Sequence, residues 1–372
     1  MKLDFDGKKS VEEILQQDDY TGKAFPEFSP NTNKLLSGDN LYVMKLLLYK
    51  YGLKNKIDLI YIDPPFATNT VFRMDDERTS TISMSKESDI AYKDTLVGDA
   101  FLSFLRDRLV VARELLSERG SIYLHIDYKV GHYVKLVMDE VFGTANFRND
   151  ITRIKCNPKN FERRAYGNIK DMILFYSKSS TPIWNNITMP YTKEELQQLY
   201  KKVDKNGRYY TTLPLHAPGE TKLGKTSLPF KGMLPPKGRH WRCSPEELEE
   251  LDKKGLIEWS KTNNPRRIIY ADEKDGKKIQ DIWEFKDPQY PLYPTEKNLD
   301  LLKQIIKMSS NKNSIVLDFF CGSGTTLVAA EELGRHWIGI DNSSKALRVV
   351  QDKLSKLSTL YSDKIDVLNF DE

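Results

Sequence analysis

Two turns hold residues whose types and spacing could do chemistry. The first is Asp63-Pro64-Pro65-Phe66, directly after the apolar run "IDLIYI" at 57–62. Each proline fixes φ at about −65° and lacks an N–H, so the turn is stiff and poor in donors. The Asp63 carboxylate and a proline carbonyl are pure acceptors, and Phe66 supplies a flat face. Together they suit an exocyclic –NH2, which has two hydrogens to place while its nitrogen is approached from another side. Stacking on such a ring is worth about 1–3 kcal/mol in single-strand binders.

The second turn lies in "VLDFFCGSGTTLVAA" at 316–330, where Asp318, Phe320, Cys321, Gly322, Ser323 and Gly324 separate a strand pattern from a helix pattern. Glycines there let a backbone approach a ligand, and the helix start offers unpaired N–H groups. Asp341, at the tip of the next strand pattern, is placed to accept from ribose hydroxyls. A dinucleotide would ask for GxGxxG, but the third position is Leu327, and the lysine of a P-loop is absent. The turn resembles instead the FxGxG turn of S-adenosylmethionine-dependent methyltransferases. A glycine turn with no ligand is the remaining alternative.

The elements that must position these turns alternate. Helix patterns cover 41–52, 99–120 and 130–143, and strand patterns cover 57–62 and 121–126. After a break, a helix near 296–308 leads into a strand at 314–319, a helix at 325–334, a strand at 336–341 and a helix at 344–357. Such alternation predicts an α/β, doubly wound, mostly parallel sheet with helices on both faces. Residues 67–97 lack periodicity and read as one long loop. The four segments expected are a lead-in at 1–33, two α/β segments at 34–150 and 293–372, and an inserted region at 151–292 between them.

Composition bounds the partners. The chain has 372 residues and a formal charge of +4. Residues 150–292 hold 27 Lys and Arg against 19 Asp and Glu, so the middle is basic within a slightly acidic frame, as expected of a region that meets a polyanion. Three cysteines without CxxC spacing argue against a disulfide framework or zinc ribbon. The polar N-terminus lacks the apolar core of a signal peptide, and no run approaches the roughly 20 apolar residues that span a bilayer. A soluble, cytoplasmic protein that uses no metal and no membrane is expected.

The Asp-Pro-Pro-aromatic turn resembles the DPPY-type motif of the DNA amino-methyltransferases, with Phe for Tyr. The catalytic motif comes early and the cofactor turn late, the permuted order of the β group of N6-adenine and N4-cytosine enzymes. "LLSGDNL" (35–41), "GSIYLHID" (120–127) and "YPTEKN" (293–298) resemble further segments of that group, although Tyr293 and Asn298 depart from its HPTxKP-like pattern. The resemblance implies a Rossmann-like methyltransferase domain with an inserted target-recognition region, and S-adenosylmethionine as cofactor. It implies catalysis by Asp63, Pro64, Pro65 and Phe66. It assigns Asp39 to the adenine moiety of the cofactor, Thr295 and Lys297 to its methionine carboxylate, 320–324 to its methionine end and Asp341 to its ribose. Double-stranded DNA is the implied partner, with a homodimer and a cognate restriction endonuclease compatible with the group. An aspartate at position 63 is the tendency of adenine-modifying members.

Within that frame the basic middle becomes the DNA reader. "RIKCNPKNFERRAYGNIK" (153–170) contributes Arg153, Lys155, Lys159, Arg163 and Arg164. The proline- and glycine-rich 214–243 contributes Lys237, Arg239 and Arg242, and "NNPRRIIY" (263–270) contributes Arg266 and Arg267. His125 and His132 read as packing and helix-surface residues, and Cys321 as a small filler.

Overall fold

The computed structural model describes residues 3–20, 24–29, 32–65, 70–74, 79–80, 89–94, 98–158, 162, 164–221, 223–273, 276–289, 291, 296–357 and 365–370. Two compact units emerge: 1–186 with 280–372, and 187–279.

The larger unit is built on a nine-stranded sheet. Its strands are β1 (Lys34–Ser37), β2 (Ile57–Ile62), β3 (Leu116–Ile126), β4 (Phe147–Ile154), β5 (Lys170–Ser177), β6 (Ile282–Glu284), β7 (Ile315–Asp318), β8 (His336–Asp341) and β9 (Asp366–Asn369). They lie in the order β6-β4-β5-β3-β2-β7-β8-β1-β9. Only β5 runs antiparallel to its neighbours. Helices α1 (Asn40–Tyr49), α2 (Gly98–Leu115) and α3 (Tyr128–Phe142) pack in succession, and α5 (Thr325–Glu332) packs against α4 (Leu299–Ser309) and α6 (Ser344–Leu357). These two sets of helices cover both sides of the sheet.

Burial explains the central strands. In β2, Leu59, Ile60, Tyr61 and Ile62 are all buried, the pattern of a strand covered on both faces. Its neighbour β7 pairs Leu317 with Ile60, so the two strands end side by side. Chain order reverses between them, one half of the sheet running from β2 toward β6 and the other from β7 toward β9. Crevices at such switch points, outside the carboxyl ends of strands, are where open α/β sheets take ligands.

Three expectations need correction. The inserted unit spans 187–279, not 151–292, because β4, β5 and β6 are strands of the main sheet. "MILFY" at 172–176 is a continuous buried run that β-sheet pairing on both sides demands, and the basic Arg153 and Lys155 are paired with Asp171 beside it. Helix α2 stops at Leu115, and β3 already begins at Leu116, where pairing with Ile57 takes over. Within 67–97, the described residues Thr70–Met74, Thr79–Ser80 and Asp89–Asp94 form a three-stranded antiparallel sheet rather than a loop. Short β-branched and aromatic runs such as "TVF" suffice for backbone pairing although they show no longer period.

The unit 187–279 has its own four-stranded sheet, in the order Lys202–Val203, Tyr209–Pro214, Pro265–Tyr270, Ile257–Trp259. Leu215, Phe230, Trp241 and Leu248 form its small core. Its acidic helix Pro245–Lys253 opens with a complete capping box between Ser244 and Glu247 and with proline in its first turn.

Candidate active site

Asp63 and Pro64 emerge where β2 ends, and Asp318 closes the adjacent β7. Pro64 is buried, while Asp63 and Pro65 are half-buried. One carboxylate oxygen of Asp63, Oδ2, accepts a bond from the Lys297 ammonium. The other, Oδ1, is buried and has no hydrogen-bond partner among the described residues. Lys297 is itself only 9% exposed and precedes Asn298, whose side chain caps α4 by accepting from the N–H groups of Asp300 (2.9 Å) and Leu301 (3.3 Å). The cap thus fixes where the lysine leaves the helix. Phe66 and Thr295 lie outside the described residues.

The glycine turn is held by its backbone. The Phe320 N–H donates to Asp318 Oδ1 (3.0 Å), that of Cys321 to the Ile340 carbonyl (3.1 Å), and that of Gly324 to the Cys321 carbonyl (2.7 Å). The Gly322 N–H donates to Asp341 Oδ2 (2.9 Å), and the Ser343 N–H to Asp341 Oδ1 (2.9 Å). Gly324 has φ +73°, and a Cβ there would sit 2.7 Å from Val350 Cγ2, so both conformation and space require glycine. Asp341 therefore ties the ends of β7 and β8 together.

Asp39, the N-cap of α1, accepts from the Tyr42 N–H (3.0 Å) and from Arg108 Nη2 (2.8 Å). Its neighbour Asn40 donates to the Phe319 carbonyl (2.6 Å), which joins this segment to the strand carrying the glycine turn.

The edge is acidic. Burial pushes the Asp318 carboxyl up to about 7, and the charges of Asp63 and Asp341 add to the rise. Burial raises Asp341 as well, against the N–H groups of Ser343 and Gly322. Burial also lifts the Cys321 thiol well above its ordinary value, so it is a packed thiol and not a nucleophile. An orphaned acceptor, three carboxylates and a backbone cradle fit a cationic ligand with ribose hydroxyls to donate. A carboxylate has about four lone-pair sites, so Asp341 keeps room for such a hydroxyl beside its backbone N–H donors.

A buried polar chain runs beside Asp63 and was not foreseen in the sequence. Tyr61, His125, Asp171 and Arg153 come from β2, β3, β5 and β4, and each is almost wholly buried. His125 thus sits inside the sheet as expected of a packing residue, but within a hydrogen-bonded chain. Its signal was an aspartate opening the apolar run 172–176, facing a strand that carries a histidine.

Two expected DNA contacts are corrected by the same chain. Arg153 is fully buried, bonded to the Phe285 carbonyl (2.8 Å) and paired with Asp171 and Asp287. Lys155 is paired with Asp171 (2.6 Å). Both lie on or just after β4, where a charge must be neutralised by carboxylates of neighbouring strands. Arg164, Lys237, Arg239, Arg242 and Arg267 are exposed, while Arg266 is half-buried against the Thr212 hydroxyl (2.9 Å) and carbonyl (2.8 Å). Lys159 and Arg163 lie outside the described residues.

An open doubly wound sheet with its glycine turn and its Asp-Pro-Pro turn on adjacent strands defines a Rossmann-like methyltransferase fold. Residues 57–352 match the model of the N6/N4 DNA methylases, and the chain belongs to that family. It is 40% identical to the type II methyltransferase M.EcaI of Enterobacter cloacae, over 95% of this chain and 77% of that protein. It is 28% identical, over 88% of its length, to the type III restriction-modification enzyme StyLTI Mod subunit of Salmonella typhimurium, of which it spans 54%. The solved structure of TTHA0409 from Thermus thermophilus complexed with S-adenosyl-L-methionine aligns with 91% of this chain and 99% of its own, at 15% identity and a TM-score of 0.48. The chain is a DNA methyltransferase of the kind found in restriction-modification systems, and the family uses S-adenosylmethionine. Among the described residues, no helix is long and apolar enough to cross a membrane.

Proposed function

We propose that this chain methylates the exocyclic N6 of an adenine turned out of duplex DNA, at a specific site. The observation that carries the reading is Asp63 Oδ1, a buried acceptor with no partner among the described residues, next to the buried Pro64. An amine brings two hydrogens. Asp63 Oδ1 accepts one and the Pro64 carbonyl the other, so the nitrogen lone pair points away from both. Phe66 stacks the base. Inside the duplex N6 is paired, so the base must leave the stack to reach these groups. S-adenosylmethionine, when bound, supplies an electrophilic methyl group on a cationic sulfur. The turn at 320–324 and Asp341 would hold it, with Asp39 toward its adenine and Thr295 near its methionine end. Asp63 and Pro64 act chiefly by orienting the amine, which suits a reaction whose rate gain comes from positioning.

The unit 187–279, with Lys237, Arg239, Arg242 and Arg267 exposed, reads the target, and the exposed Arg164 of the larger unit is a phosphate contact in its own right. Double-stranded DNA in the cytoplasm is the substrate, and an endonuclease of the same site specificity is the natural counterpart. A cytosine N4 offers the same two hydrogens, and the aspartate at position 63 favours adenine only through family tendency. Incubating the purified chain and cofactor with unmethylated genomic DNA, then hydrolysing and identifying the modified base, tests the reading. N6-methyladenine at one recurring sequence is expected. N4-methylcytosine would replace the adenine assignment, and no modified base would remove the proposal.

A further inference from the structure

His125 follows Leu124, which pairs with Ile62, the residue before Asp63, and the Asp63 charge acts on its ring. Its ring is fully buried, and Tyr61 and Asp171 lie at its two nitrogens. Nδ1 lies 2.9 Å from the Tyr61 hydroxyl, and Nε2 lies 3.2 Å from Asp171 Oδ2. Burial alone would raise Asp171, but the bonds from His125 and Lys155 outweigh it and hold the carboxyl well below the usual range. Burial pushes His125 the other way, toward its neutral form.

The contacts at the two ring nitrogens point to one tautomer. A neutral imidazole has one donor and one acceptor nitrogen, and an ionised carboxylate can only accept. The ring proton is therefore on Nε2, facing Asp171, and Nδ1 accepts from the Tyr61 O–H. Asp63 stands two positions after Tyr61, directly past the end of the strand. The charge of Asp63 raises the Tyr61 phenol further, after burial. The one hydrogen of the Tyr61 hydroxyl is committed to His125. Lys297 occupies Oδ2, and Oδ1 stays without a partner among the described residues.

We propose that Tyr61, His125 and Asp171 are positioning residues for methyl transfer: the chain turns the Tyr61 hydroxyl away from Asp63 and so reserves Oδ1 for the substrate amine. A buried ionic chain brings little stability over an apolar core of equal volume, so a role in specificity accounts for its presence. The inference rests on the reading of Asp63 as the acceptor of the amine.

The test uses the full chain, unmethylated genomic DNA and S-adenosylmethionine. Single-turnover methyl transfer is read at saturating cofactor, and cofactor affinity by calorimetry. In Asp171→Asn the amide can present N–H to the ring, which moves the ring proton to Nδ1 and forces Tyr61 to turn its hydrogen elsewhere. The rate should fall by about tenfold or more while cofactor affinity stays within about twofold. Adding Tyr61→Phe to Asp171→Asn should then raise the rate by about tenfold, because no hydroxyl is left to fill Oδ1. A merely structural Asp171 gives no such rescue, and a double variant as slow as Asp171→Asn overturns the proposal. So does an unimpaired Asp171→Asn. If Asp171→Asn fails to fold, nitrogen NMR of the histidine-labelled wild-type chain decides, with His125 assigned through His125→Gln. The Nε2–H tautomer is expected, and the Nδ1–H tautomer overturns the proposal. Asp63→Asn separates the two readings: full activity there defeats the role of Asp63 itself, whereas inactivity there with no rescue above defeats the positioning chain alone.

Discussion

Lys297 bonds Asp63 across 234 positions of sequence, and joins the segment before α4 to the end of β2. The pair is mostly buried, with side chains 9% and 17% exposed. Removing the cation leaves a carboxylate with little water and no opposite charge. Lys297→Met should lower the unfolding free energy by about 1–3 kcal/mol in a urea titration. Lys297→Met with Asp63→Asn should recover most of that loss, since nothing charged is then left unpaired. Equal stability of Lys297→Met and the wild type would mean that the bond contributes nothing.

The acidic edge predicts a pH response. Asp318 titrates at about 7 in the folded chain, above its ordinary 3.8. The folded state therefore holds a proton that the unfolded state has lost. Stability from this group is complete below about pH 4 and is lost as pH rises through about 7. Asp318→Asn should melt progressively higher than the wild type as pH is raised from about 5 to 8. S-adenosylmethionine is a cation, so its binding favours the ionised carboxyl, and its affinity should rise with pH up to about 7. Calorimetry in two buffers of different ionisation heat would detect the released proton, and Asp318→Asn should abolish it.

Gly324→Ala combines a left-handed backbone with a methyl group 2.7 Å from Val350. A loss of about 1–3 kcal/mol is expected, with a weaker cofactor because the turn must shift. Thermal melts with and without S-adenosylmethionine check both parts: the variant should melt lower and gain less from the ligand.

The arginines divide by burial. Alanine at Arg239 or Arg267 should leave the melting temperature unchanged and weaken DNA binding, lowering the slope of affinity against salt by about one for each phosphate no longer neutralised. Alanine at Arg153 should instead destabilise the fold by about 3–5 kcal/mol, since Asp171 and Asp287 lose their buried partner. DNA-binding titrations at several salt concentrations distinguish the two groups.

Much of this was legible in the sequence. Strand β2 occupies 57–62, β8 occupies 336–341 and α6 occupies 344–357, as their patterns predict, because each is a clean apolar run or stripe between turn residues. Asp63 and the glycine turn could be found because prolines and glycines punctuate a chain strongly. What the sequence hid were relations between strands. Arg153 reads as a surface base until Asp171 and Asp287 are beside it, and His125 reads as filler until Tyr61 and Asp171 bracket its ring. Lys297 likewise has an obvious charge and no visible partner, since its partner lies at the far end of the chain.

That separation has a kinetic consequence. β2 is synthesised early, yet its hydrogen-bonded neighbour β7 and the lysine that neutralises Asp63 come from the last quarter of the chain. Pairing so distant in sequence closes a very long loop, and folds dominated by such contacts form slowly. A nascent or truncated chain that carries only the early strands has the Asp-Pro-Pro turn but neither the cofactor cradle nor its cation. Such a chain is expected to transfer no methyl group until the strands and the lysine of the last quarter have joined β2.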